Sequence, residues 1–416
     1  MRPIDHADRQ ANALAVTLSR MAVVFLLLIP SELQAQYRYS TYVYGSSGYV
    51  TIDGPSGSPT SMTLPSAINK YPVYNILQLA FWSCASLTSV SIPYSIDSIG
   101  AEAFGNCQKL TSIAVDPANY AYAGIGGVLF NKSVTQLIQY PGGLSGNYTM
   151  PASVTSLADN AFMYDAKLTG VTMPAGLTSI GLDEFENSGL TNVLIPASVN
   201  SIGQYAFSGC VNLTAITVDP AGTNFSSLNG VLFNKSGTLL IQYPPGLSGS
   251  YTVPYGVTNI GNYYSFEACS KLTSVTIPST VTYIGTNAFL FCSGLTNVFF
   301  QGNAPVVGTS AFASAPVTAY YLPGTTGWGT FAAATGLTPV LWDPQAQTAD
   351  GGFGVRSNRF GFNLTGSTNY MVVVEASTNL VTWVPVSTNS LAAGTSYFSD
   401  PQWTNYPGRC YRLRSP

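Results

Sequence analysis

The chain has 416 residues, of which only 8% are charged, and its net charge is −3. So few cations leave neither a nucleic-acid footprint nor a polybasic membrane patch. A length that would fill two or three ordinary domains must then be explained by its internal organisation. The first feature along the chain is an apolar run, Met21 to Ile29, preceded by Arg20 and followed by Ser31-Glu32-Leu33-Gln34-Ala35. It is too short to span a bilayer as a stable helix and has the layout of a secretory signal, so residues 1–35 are expected to be removed after Ala35, with Met21 a candidate for the true start. No other segment approaches the ~18 consecutive apolar residues of a spanning helix, and no membrane span is expected after cleavage. Cleavage also removes the single histidine, His6. Ser-His-Asp and Cys-His catalysis and histidine metal sites are thereby excluded. With no Gly-rich phosphate loop, CxxC pair or EF-hand spacing in the sequence, no metal and no cofactor is expected.

Residues 36–60 follow, in which Tyr37, Tyr39, Tyr42, Tyr44 and Tyr49 alternate with polar residues. A period of two predicts a strand or hairpin, here a β cap on the exposed first rung of a stack. The alternative is an aromatic platform on which sugars would stack.

From residue 61 to 340 one pattern repeats. Phenylalanine precedes cysteine by three residues at Phe81/Cys84, Phe104/Cys107, Phe207/Cys210, Phe266/Cys269 and Phe289/Cys292, and Phe162, Phe185 and Phe312 open looser copies. Within runs of adjacent copies the phenylalanines lie 22 or 23 residues apart, inside the range of leucine-rich repeats. Phe104 to Phe162 and Phe207 to Phe266 are longer gaps with matching insertions, GVLFNKSVTQLIQYPGGLSG from Gly127 and GVLFNKSGTLLIQYPPGLSG from Gly230, so a block of about one hundred residues is itself duplicated. In one unit Leu87, Val90 and Ile92 point inward from a short strand and Pro93 stops it, because proline has no N–H for the ladder. Ile96 and Ile99 return the chain, and Gly100 supplies a permissive turn. Four large side chains cannot offset the ordering of some twenty residues, so a rung is stable only against its neighbours.

The five repeat cysteines share one position in the part of the unit that packs on the next rung. They are expected to be small buried hydrophobes, since parallel side chains on stacked rungs suit the disulfide torsion badly. Asp165 and Ser188 replace cysteine in two copies. Asp183, Glu184 and Glu186 around Phe185 form the densest acidic cluster. A carboxylate pair ~5–10 Å apart can cleave a glycoside, but a solvated turn in an altered rung is the expected reading here.

The unit LTSVSIPYSIDSIGAEAFGNCQKLTSI, from Leu87 to Ile113, resembles the BspA-like leucine-rich repeat of bacterial secreted and surface proteins. The insertion GVLFNK…LIQYP…YTMP is also common in that family. The resemblance covers about residues 61–339 and implies a β-dominated, curved leucine-rich repeat solenoid of about 23-residue units. It implies a secreted or cell-surface location and a non-catalytic role in recognition or adhesion, with a protein or glycan partner and no nucleic acid. In that fold the residues flanking the inward strand positions face the concave side. The candidates are Ser89, Ser91, Ser112, Thr172, Asn192, Thr217, Ser274, Thr276, Asn297 and Phe299. Phe299-Phe300 and Tyr320-Tyr321 are the bulky exceptions on this row, either a recognition patch or, by preference, an apolar seam to the last module. A polysaccharide-active enzyme or accessory carbohydrate-binding protein, with the carboxylates near Phe185 as acid and base, and a structural array component are the alternatives.

After Pro339 the texture changes. Arg359 to Leu364 places Phe360, Phe362 and Leu364 on one face, and Tyr370 to Glu375, Trp383 to Val386, Tyr397-Phe398 and Cys410 to Leu413 read as further short strands between Gly, Asn and Asp-Pro turns. Residues 341–416 are therefore expected to form a small β-sandwich-like module. NYMVVVEASTNLVTWVPV and GRCYRLRSP resemble a C-terminal module of secreted proteins from some environmental bacteria.

Overall fold

The computed structural model describes residues 37–366 and 370–414. The expected leader lies outside the described residues. The fold is a β-solenoid, and the chain forms two compact units: one runs to Thr169 and takes in Gly176–Ser188, the other comprises Gly170–Ala175 and everything from Gly189.

The first unit begins with the hairpin Tyr37–Tyr44 and Ser47–Pro55, closed by a turn at Gly45 with φ 62°. Its second strand pairs in parallel with Tyr71–Ile76, which pairs with Ser98–Ile99. A second parallel sheet joins Ser61–Thr63, Ser89–Ile92 and Ser112–Val115, with Met62, Val90 and Ile113 in register. Its inward side chains are sealed: Leu87, Val90, Ile92 and Ile96 are at most 1% exposed. Ser89–Ile92 ends at Pro93. Gly100 has another role than the one expected of it. Its φ is not positive; a Cβ there would lie 2.2 Å from the Gln78 backbone nitrogen. Glycine is needed because the previous rung passes too close for any side chain.

The phenylalanines build a column of rings. Phe81 stacks on Phe104 with centroids 5.3 Å apart and Phe162 on Phe185 at 5.0 Å, while in the second unit Phe266, Phe289 and Phe312 follow at 4.5 and 5.1 Å. The two insertions are not interruptions. Tyr140 stacks on Phe162 at 5.2 Å and Tyr243 on Phe266 at 4.9 Å. Tyr140 N–H donates to the Ala161 carbonyl, as Phe81 N–H donates to Ala103. Each insertion thus carries one more rung with tyrosine in the phenylalanine place, preceded by a small antiparallel meander such as Tyr122–Ile125, Val128–Asn131 and Gln136–Gln139.

The turn that holds each phenylalanine is unusual in its backbone. The residues two before and two after it are left-handed in every copy: Leu79 and Ser83, Glu102 and Asn106, Asn160 and Tyr164, Asp183 and Asn187, Tyr205 and Gly209, Tyr264 and Ala268, Asn287 and Phe291, Ser310 and Ser314. Only one of the sixteen is glycine. Alternating handedness turns successive N–H groups the same way, so that Leu79, Phe81 and Ser83 donate to Ala101, Ala103 and Gly105 of the next rung. These inter-rung hydrogen bonds offset a cost of roughly 1–2 kcal/mol per left-handed residue.

In the second unit Leu272–Ile277, Asn297–Phe300, Thr318–Tyr321 and Val340–Leu341 continue a parallel sheet. The helix Trp328–Thr335, unpredicted, ends the stack between Gly327 and Gly336, both left-handed, and lays Trp328 and Phe331 on Phe300. Beyond it lie two small antiparallel sheets. One holds Arg359–Thr365 beside Gln345–Gln347, Gly354–Arg356 and Thr395–Asp400; the other holds Tyr370–Ser377 between Val384–Leu391 and Cys410–Arg414. Phe362, Leu364, Val372, Val374, Leu391 and Phe398 fill the space they enclose. Among the described residues no helix is long and apolar enough to cross a membrane.

Candidate functional site

The surface with the most regular chemistry is the outer side of the parallel sheet. In the first unit Ser61, Ser89 and Ser112 stand side by side, and so do Thr63, Ser91 and Ala114. Successive strands are ~4.8 Å apart, so small side chains form two columns at that spacing, with hydroxyls at every position except Ala114. Ser89, Ser91 and Ser112 are all half-buried, held between neighbours but open to solvent. Along the edge of this face Thr88 Oγ1 donates to the Thr60 carbonyl and Thr111 Oγ1 to the Thr88 carbonyl, 2.6 and 3.2 Å away.

In the second unit Thr172, Asn192 and Thr217 are exposed, and Leu194, paired with Thr217, is 55% exposed. Farther along, the expectation of one continuous open row fails. Asn297 is half-buried, but Ser274, Thr276 and Phe299 are only 8%, 4% and 5% exposed. Thr276, Phe299, Tyr320 and Val340 are in register. Phe299 stacks on Tyr320 at 5.0 Å and meets Trp342 edge-on at 6.4 Å, in one apolar cluster with Phe362 and Leu364 of the C-terminal sheets. Phe299 therefore belongs to a seam and not to an accessible binding face. Phe300 and Tyr321 point the other way, onto Trp328.

The acidic cluster is not a solvated turn. Glu184 is fully buried, Asp165 is 1% and Asp183 5% exposed. Burial, and then the charge of Glu184, push the Asp165 carboxyl well above the usual range; burial, and then Asp159, do the same for Glu184, against the opposing pull of the Gly181 and Ala161 amides. Asp165 Oδ2 lacks a hydrogen-bond partner. Acids sealed in this way cannot meet a polymer. In neighbouring rungs the thiol at the Asp165 position donates to the carbonyl of the stacked aromatic: Cys107 Sγ lies 3.0 Å from the Phe81 oxygen and Cys292 Sγ 2.9 Å from that of Phe266. Cys107, Cys210, Cys269 and Cys292 are buried, Cys84 is half-buried and Cys410 is exposed.

Two tyrosines of the N-terminal hairpin, Tyr42 and Tyr49, stack on one another, Tyr37 and Tyr39 meet edge-on, and Tyr44 is 69% exposed. Tyr42 and Tyr49 are 5.0 Å apart and Tyr49 and Tyr74 6.2 Å, so Tyr49 has both faces covered. Flat faces turned to neighbours are not free for sugars. Among the described residues no group of three or more His, Cys, Asp or Glu side chains is placed to hold a metal ion.

A family model described as the BspA type leucine rich repeat region matches the chain in six copies across residues 74–146, 144–249 and 248–330, which is more than half of it. No curated protein matches. Among solved structures, the chain is similar to a leucine rich cell surface protein from Faecalibacterium prausnitzii A2-165, with 24% identity, a TM-score of 0.49 and coverage of 78% of this chain and 95% of that one. It is also similar to the pneumococcal vaccine antigen PcpA, at 19% identity, TM-score 0.45 and coverage of 73% and 82%. A leucine-rich repeat protein from Eubacterium ventriosum ATCC 27560 follows at 18% identity, TM-score 0.39 and coverage of 77% and 85%.

Proposed function

The chain belongs to the BspA-type leucine-rich repeat family, and on that premise we propose that it is a non-catalytic recognition protein at the cell surface, binding a protein or glycan through the outer side of its parallel sheet. The observation that carries the proposal is the pair of small-residue columns, Ser61/Ser89/Ser112 and Thr63/Ser91/Ala114, held in register by backbone pairing and hydroxyl-bearing at every position except Ala114. A rigid row of small donors and acceptors costs little ordering entropy when a partner lies across it. Its neutrality suits an uncharged, hydroxyl- or amide-rich surface, and the low charge of the whole chain agrees.

The open extent is shorter than the repeat itself, because Thr276 and Phe299 are covered. Binding is assigned to the rungs around Ser89, Ser91 and Ser112, and to Thr172, Asn192 and Thr217. The test is capture from a glycan array and from envelope extract, run beside Ser91→Arg, which blocks the centre of the sheet while its half-buried position lets the fold stand. A ligand bound by the wild type and lost by the variant at unchanged circular dichroism supports the assignment. Failure of the wild type on both panels, or binding indifferent to the block, refutes it.

A further inference from the structure

The C-terminal module carries a second, chemically different surface. Along Arg359–Thr365 the residues Phe360, Phe362 and Leu364 turn into the core, so Arg359, Gly361 and Asn363 lie on the opposite face. Pairing brings Arg356 beside Arg359, Ser399 beside Gly361 and Tyr397 beside Asn363. Together with Asp350 these residues line an open cleft of about 1000 Å³.

Two glycines shape its floor. A Cβ on Gly361 would stand 2.4 Å from Tyr397 Oη and 2.7 Å from its Cζ, so the phenol end of Tyr397 lies over the bare backbone; the ring remains 44% exposed. A Cβ on Gly352 would stand 2.4 Å from Asn363 Nδ2. That amide donates to Asp350 Oδ2 at 2.8 Å while Gly352 N–H donates to Oδ1 at 2.8 Å. Asp350 and Asn363 thus fix each other in place.

The arginines separate this face from the rest of the module. Arg409 is paired with Asp400, and Arg412 and Arg414 with Glu375. Arg356 and Arg359 are exposed and take part in none of the ion pairs among the described residues. Two exposed guanidinium groups have the planar donor fork that recognises a carboxylate. A tyrosine ring pinned beside them, with a carboxylate and amide at the rim, offers an apolar surface and hydroxyl-directed hydrogen bonds within one cleft.

We propose that this cleft binds an acidic saccharide, the uronate carboxylate on Arg356 and Arg359 and the sugar ring on Tyr397. It stands apart from the sheet face assigned above and uses none of its residues. Affinity electrophoresis of the intact chain through gels holding polygalacturonate, or the same polymer fully methyl-esterified, tests it. The wild type is expected to be retarded by the acid and not by the ester. Arg356→Ala/Arg359→Ala should weaken retardation about tenfold or more, the loss of one to two charge-assisted contacts, and Tyr397→Ala should weaken it by removing the ring that carries the sugar. Ser91→Arg should leave it unchanged, so that failure of either site is seen independently of the other. If Tyr397→Ala disturbs the circular dichroism, Arg359→Gln replaces it. The proposal is overturned if the wild type runs freely in polygalacturonate, if the ester retards it equally, or if the double arginine variant is still retarded.

Discussion

Replacing Asp165 by cysteine should stabilise the protein at neutral pH and have its smallest effect near pH 4. Asp165 occupies the place held by Cys107 and Cys292 in other rungs, is 1% exposed, and its Oδ2 has no partner. By register its acceptor would be the Tyr140 carbonyl, but that oxygen takes the Gln139 side-chain amide at 3.2 Å. Burial and the neighbouring Glu184 raise the folded-state pKa of Asp165 well above the usual value, while the unfolded chain titrates near 3.9. The folded state therefore holds the proton longer. Its contribution is fully present below about pH 4 and falls by about 1.4 kcal/mol per unit as pH rises between the two pKa values. A buried polar group without a partner costs about 1–3 kcal/mol. Asp165→Cys should thus gain about that much at pH 7 and little at pH 4, where the protonated acid still contributes its stability. Urea unfolding of both proteins from pH 4 to pH 8, followed by tryptophan fluorescence, measures it, and Trp82 sits against Tyr164 beside the site. Stability curves that run parallel across this range would show that Asp165 titrates like an exposed acid, and the reasoning would be wrong.

Three further outcomes are expected. Phe299→Ala, by emptying the seam, should cost about 3–5 kcal/mol in the transition that includes the C-terminal sheets, read as a lower midpoint and faster proteolysis near residue 340. In native protein a thiol reagent should modify Cys410 at once and Cys84 slowly. Cys107, Cys210, Cys269 and Cys292 should react only on unfolding, since they are buried and burial pushes the Cys269 thiol far up; equal reaction of all six would refute their role as packing. Ser314, exposed and left-handed at φ 59°, should gain up to about 1 kcal/mol as glycine and lose more than that as valine, measured as the urea midpoint.

Much of this fold is legible in the letters, because each rung writes its inside plainly. Leu87, Val90 and Ile92 are apolar at strand spacing, Pro93 ends the strand, and the shared cysteine position declares a small buried group. Tyr140 and Tyr243 escaped because a tyrosine stands where the phenylalanine was sought, although each lies 22 or 23 residues before the next phenylalanine. The helix at Trp328 had a signal as well, a run of alanines between two glycines. Two features had none. Glu184 is an acid and its charge suggests solvation, yet stacking seals Asp183, Glu184 and Phe185 regardless of polarity while Leu182 and Asn187 in the same turn stay exposed. Ser274 and Thr276 alternate outward as the open rungs do, and nothing within a rung tells that they will be covered, whereas the bulk of Phe299 and Tyr320 did signal the seam they form. The cleft at Tyr397 was hidden for a related reason: its residues come from strands that pair at a distance, and only Gly361, bare between Phe360 and Phe362, hints that something rests there.

The left-handed pairs around each phenylalanine give the stack a direction. Leu79, Phe81 and Ser83 hand their N–H groups forward to the next rung, and Asn287, Phe289 and Phe291 do the same to Thr309, Ala311 and Ala313. Both sets of three N–H groups point forward, while the Cys107 and Cys292 thiols reach back, so the backbone of a rung has a donor edge and an acceptor edge, like a brick with a tongue and a groove. Whole units of 22 or 23 residues can be added or removed between two such edges without leaving a mismatched row, whereas a partial unit would set donor against donor. Gene duplication in whole blocks is the kind of change this architecture tolerates, and the copied insertions at Gly127 and Gly230 bear its mark.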